Sequence, residues 1–160
     1  MKTHRKPAVA GMFYPGDANT LTRHVEGYLS SATRTSDNDT KFIIAPHAGY
    51  VYSGAVAAEA FAEVSTTPYE RVVLLGPSHR YPFKGGAESE ESVWQLPNGE
   101  ARIKSTGFLK ILRDARYHEN EHCLEVQFPF LLHIMPDAEF SPILLSGSHD
   151  IAVELADTLL

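Results

Sequence analysis

The sequence has 160 residues, 43% apolar and 21% charged, and its 14 basic and 20 acidic side chains leave a formal net charge of -6. Those values suit one soluble globular domain, and a negative chain with scattered Lys and Arg offers no broad footprint for a phosphate backbone, so nucleic acid is excluded as an expected partner. The single cysteine, Cys123, excludes an internal disulfide and a CxxC metal knuckle,.

The chain opens on a basic stretch, with Lys2, Arg5 and Lys6, that lacks the apolar run of a signal peptide,. No stretch approaches the ~20 apolar residues of a membrane span. A cytoplasmic protein without a membrane partner is expected. Asp17 to Ala32 places Leu21, Val25 and Leu29 four apart, with Tyr28 on the same side, which predicts a helix,. Thr35 to Thr40 is polar and predicts a loop. Phe42-Ile43-Ile44-Ala45, closed by Pro46, predicts a buried strand,. Ser53 to Val64 is rich in Ala and predicts a helix with Ser53 as N-cap,. Arg71 to Gly76 predicts a second buried strand.

Pro77 to Glu100 is long, polar and rich in Gly and Pro, the pattern of a rim or lid over a cleft, pinned by Trp94 and Leu96 packing inward,. Thr106 to Ala115 predicts a helix. So does His122 to Met135, which Pro129 either kinks or starts,. Phe140 to Leu145 predicts a third strand, and Asp150 onward another helix. Strands alternating with helices predict an α/β fold: three-layer αβα around a mostly parallel sheet. Ile151, Leu155, Leu159 and Leu160 form an apolar helix face that stops without a C-cap signal,. We therefore expect one α/β domain over residues 1–160, C-terminally incomplete, with a truncated helix open to self-association.

Each of the three strands runs into a loop with a histidine: His47 in Pro46-His47-Ala48-Gly49-Tyr50, His79 in Gly76-Pro77-Ser78-His79, and His149 in Ser146-Gly147-Ser148-His149. In open α/β sheets ligands bind outside the carboxyl ends of the strands, and neutral imidazole binds zinc, copper and iron. Spacing alone leaves metal ligands and ordinary loop histidines as equal readings. His4 and His24 read as solvated, and His133 as a satisfied core residue. In the dense segment His118 to Glu125, His122 and Glu125 share a helical face at i, i+3,. That pair suits a metal site, a proton-transfer pair or a surface ion pair. Cys123, with no Lys or Arg near it in sequence, reads as a small buried apolar residue.

Four blocks, in order, carry a resemblance. Arg5-Lys6-Pro7-Ala8-Val9-Ala10-Gly11-Met12-Phe13-Tyr14-Pro15, Ala45-Pro46-His47-Ala48-Gly49-Tyr50-Val51-Tyr52-Ser53-Gly54, Leu75-Gly76-Pro77-Ser78-His79 and Glu121-His122-Cys123-Leu124-Glu125-Val126-Gln127-Phe128-Pro129-Phe130-Leu131 resemble the N-terminal part of the Memo family, also called the B component of the AmmeMemoRadiSam system. The resemblance implies an αβα fold related to the class III extradiol dioxygenases, which use non-haem iron(II). It implies that His47 and His79 are metal-site histidines and that His122 and Glu125 lie near the same cleft, with Tyr50 and Ser78 as further pocket candidates. Two departures stand out. The Asp/His pair and the later cysteine of the family's second half are absent from these residues, and Cys123 stands where the family usually has serine. The family has no fixed ligand at His149, so the plainer reading of that residue gains.

The expected cofactor is a divalent transition metal, iron or copper ahead of zinc, and the expected partner is a small molecule or a peptide. Two functions follow from the resemblance. One is oxygen-dependent, dioxygenase-like chemistry on a small aromatic or other substrate, and the other is a non-catalytic metal-binding or peptide-binding adaptor. Zinc-assisted hydrolysis is a third, weaker option.

Overall fold

A computed structural model describes residues 3–35, 40–108 and 111–147, together with Val153 and Ala156. A seven-stranded sheet organises the chain. It consists of β1 (His4–Arg5), β2 (Arg71–Pro77), β3 (Gly85–Glu88), β4 (Val93–Leu96), β5 (Gly99–Ile103), β6 (Leu112–Arg113) and β7 (Glu139–Ser146). The helices are α1 (Ala18–Ser31), α2 (Tyr50–Ala62), α3 (Ala115–Glu119) and α4 (Phe128–Ile134), the last preceded by a 3-10 turn over Glu125–Gln127.

Strand β7 is the spine. One edge pairs with β2 in parallel from Arg71↔Glu139 to Pro77↔Leu145. The other edge takes β5 in parallel at Glu139 and Phe140, then β3 antiparallel from Ile143 to Ser146. Beyond β5 lie β4, antiparallel, and β1, parallel to β4, while β6 joins β3 in parallel. The sheet is curled and mostly parallel, in a fold consistent with the three-layer α/β arrangement expected. Helices α1, α2 and α4 pack together, and Leu21, Val25, Ala58, Phe61, Phe130 and Phe140 belong to the main core.

Helix α1 forms as its pattern predicts. Leu21 and Val25 are fully buried, and the Asp17 side chain accepts the Thr20 amide as N-cap,. Helix α2 begins three residues before the expected Ser53, with Gly49 as its N-cap. The Phe13 carbonyl accepts the Tyr50 N–H at 2.7 Å, so a distant loop supplies the start signal. Pro129 stands in the first turn of α4, where its missing N–H costs no helical bond,.

Four expectations are overturned. Phe42 to Ala45 is no strand: Phe42 and Ile44 are 85% and 97% exposed. Ile43 and Ala45 face a cavity shared with Val72, Leu74 and Leu124, which separates the segment from the β2 edge. Strand β2 is half-buried rather than buried, with Val73 and Leu75 well exposed on one face. Pro77 to Glu100 is no lid. Val93–Leu96 is a strand of the main sheet, paired along its length by β5 and at Val93 and Trp94 by β1, though Trp94 and Leu96 do pack inward. Thr106 to Ala115 is not one helix: Gly107 is left-handed at φ +80°, Leu112–Arg113 joins the sheet, and α3 starts only after the Asp114 cap.

Residues 36–39 of the expected loop lie outside the described residues, as do His149, Leu155, Leu159 and Leu160. Val153 and Ala156, from the expected last helix, are helical. Among the described residues, no helix is long and apolar enough to cross a membrane.

Candidate metal centre

Three loops meet at the carboxyl end of β2. His47 lies just before α2, His79 follows β2, and His122 sits in the turn between α3 and the 3-10 segment. Each offers a ring nitrogen such that all three lie within 4.8 Å of one another. Ring centroids stand 5.2 Å apart for His47 and His79, 4.7 Å for His79 and His122, and 6.0 Å for His47 and His122. Phe13 packs against His122 at 4.9 Å and, with Pro46, Gly49 and Tyr52, lines an open depression beside the rings.

Beneath the rings lies Glu121, only 2% exposed. Its Oε2 accepts the main-chain N–H of His79 at 2.7 Å. Its Oε1 accepts the amides of His122 at 2.8 Å and Cys123 at 3.1 Å, and lies 3.0 Å from His79 Nδ1. The His122 Nδ1 is 3.1 Å from the same oxygen. Burial opposes the charge, but the donated hydrogen bonds from His79, Cys123 and His122 outweigh it and hold the carboxyl down at about 2,. Burial also holds the His122 imidazole below its ordinary range; Glu121 pulls the other way, and the His79 and His47 rings add to the depression.

A second group, His79, Glu121 and Cys123, also lies close enough to share an ion. It is the poorer donor set. Both Glu121 oxygens are occupied, and burial, followed by the Glu121 charge, pushes the Cys123 thiol up so that it stays protonated,. Its Sγ donates to the Pro77 carbonyl. Cys123 is thus the small buried residue expected, 2% exposed.

The other site candidates divide. Ser78 is adjacent to His79, but its hydroxyl donates to the Tyr81 carbonyl. Tyr50 is a core residue, 4% exposed, with its hydroxyl donating to the Val126 carbonyl. Glu125 does not join the histidines. The chain at His122 is a turn, so the i, i+3 relation fails to align them, and the Glu125 carboxylate points to Arg5, the amides of Ala8 and Val9, and the Tyr14 hydroxyl. Glu121 was the residue that spacing missed. Its position beside His122 was visible; its reach to His79 was not.

The Memo-like protein family model matches residues 5–160. The chain belongs to the Memo-like protein family. It is 34% identical to a MEMO1 family protein of Thermotoga petrophila, over 97% of this chain and 63% of that protein. A MEMO1 family protein of Nitrosopumilus maritimus is 33% identical over 95% of this chain and 59% of its own length. Protein MEMO1 of Danio rerio is 34% identical over 91% of this chain and 54% of that protein. The chain thus spans a little over half to under two thirds of the length of these Memo relatives.

Proposed function

We propose that this Memo-family chain holds a divalent transition metal on His47, His79 and His122, with iron or copper preferred and zinc next. The observation that carries the reading is the convergence of three imidazole nitrogens within 4.8 Å above a buried carboxylate. The donor set fits such an ion: neutral imidazole suits iron, copper and zinc, and histidine ligands are commonly braced by a carboxylate. Tetrahedral ligands at 2.0–2.1 Å from an ion stand about 3.3 Å apart, so the His47 and His122 rings would turn toward a fixed His79 to close the cluster, with no loop refolding,.

When bound, the ion would supply Lewis acidity and, if iron(II), an electron for dioxygen. The chain's own residues then set the surroundings. Phe13 and Pro46 offer an apolar wall to a small aromatic substrate, and Glu121 offsets part of the ion's charge without contacting it. We assign oxygen-dependent, dioxygenase-like chemistry to this arrangement. One observation favours a non-catalytic metal-binding or peptide-binding adaptor instead. Among the described residues grouped with these histidines, the only carboxylate is Glu121, and its oxygens are taken.

Calorimetric titration with zinc(II), copper(II) and, without air, iron(II) tests the centre. One ion per chain is expected, with loss of binding in His47→Ala and in His79→Ala. Unchanged binding in both variants refutes it. Oxygen uptake on a panel of catechols then separates the enzyme from the adaptor.

A further inference from the structure

We propose that Glu121 is the positioning residue of the three-histidine cluster, a buried carboxylate that locks the His79 ring in one rotamer and one tautomer. The inference deepens the metal-centre reading and rests on it for its consequence, though not for the lock itself. Glu121 grips His79 at two points, the main-chain N–H at 2.7 Å on Oε2 and the ring Nδ1 at 3.0 Å on Oε1. A carboxylate only accepts, so Nδ1 must carry the proton and Nε2 is left with the free lone pair. A ring held at both its backbone and its Nδ1 cannot turn without breaking a charge-assisted bond.

The carboxylate is itself immobile. Its Oε1 is pinned by the His122 and Cys123 amides and its Oε2 by the His79 amide, and its own main-chain carbonyl accepts from Arg5 Nη2 at 2.8 Å. Arg5 is anchored in turn by its Nη1 on the buried Glu125, 2.6 Å away. The loop containing Glu121 is thereby tied to the first strand. The His122 ring, 3.1 Å from an oxygen that already serves three donors, is the weaker claimant. The lock falls on His79.

Nitrogen-15 NMR of histidine-labelled protein at about pH 8, where free imidazole is neutral, reads the tautomer directly and needs no metal. The expected result is His79 protonated on Nδ1, with mixed tautomers appearing in Glu121→Ala. Zinc(II) affinity in Glu121→Ala should fall about 10–100-fold, the usual cost of losing such a partner. A wild-type His79 protonated on Nε2 overturns the proposal, whether or not the variant folds. A folded Glu121→Ala that keeps the wild-type tautomer and zinc affinity also overturns it. If the wild type shows the Nδ1–H tautomer but binds no zinc, the lock stands and the metal-centre reading fails.

Discussion

Arg5 should be among the most costly side chains to remove. Its guanidinium is 2% exposed and its partner Glu125 0%. Nη1 meets the Glu125 carboxylate at 2.6 Å, Nε donates to the His118 carbonyl and Nη2 to the Glu121 carbonyl, both at 2.8 Å. The cation also stands 4.2 Å above the Trp94 ring. Arg5→Met keeps much of the stem but strands a buried carboxylate, and breaking one side of such a pair costs about 3–5 kcal/mol. For a domain whose total stability is about 5–15 kcal/mol, that is a large share. With a urea slope of about 2 kcal/mol/M, the midpoint should fall by roughly 2 M. Glu125→Gln should also be costly, because both carboxylate oxygens already face donors. The double variant should cost less than the two single costs added, since both disrupt one network. A loss below about 1 kcal/mol for Arg5→Met, or strict additivity, would refute the view that this pair governs the fold.

Three further outcomes follow from local geometry. Burial depresses the His118 imidazole to about 4, so between the ordinary value near 6.5 and that value the unfolded chain takes up a proton that the folded chain refuses,. Stability should hold above that window, fall by about 3 kcal/mol as pH drops through it, and level off below; urea midpoints against pH should show this, and an equal slope in His118→Gln would sink the assignment. Gly54→Ala would set a Cβ 2.7 Å from the Tyr28 ring, and about 1–3 kcal/mol of overpacking should lower the melting temperature; an unchanged melting curve would contradict the packing at this helix pair. Lys104→Ala, which breaks an exposed pair with Glu139, should leave the urea midpoint unmoved, and a clear drop would show that exposure fails to separate weak pairs from strong ones.

The sequence made local features legible and hid those that depend on distant partners. Helix α1 could be read because Leu21 and Val25 are spaced for one face and Asp17 caps its own helix. The meeting of His47 with His79 could be anticipated from their equivalent loops, although the segment before His47 is not a strand. The start of α2 could not be read, because its first amide bonds to Phe13 rather than to a nearby side chain. Trp94 and Leu96 were legible as inward anchors, yet nothing local revealed that β1 and β5 would flank them. Helical spacing from His122 points to Glu125 rather than Glu121, but the chain at His122 is not helical and Glu125 turns instead to Arg5 and Tyr14. Nothing near Arg5 in the sequence, which is flanked by His4 and Lys6, marks it as the buried partner that draws Glu125 away from the histidines.

The shared carboxylate also has a consequence for motion. The amides of His79, His122 and Cys123 come from two separate loops and end on the same side chain. Neither loop can lift away without stripping a buried charge of part of its solvation, so local opening becomes a cooperative event. Deuterium should therefore enter these three amides together, at one rate, rather than loop by loop. The rim of the cleft should therefore open as one piece, although the chain that builds it is discontinuous.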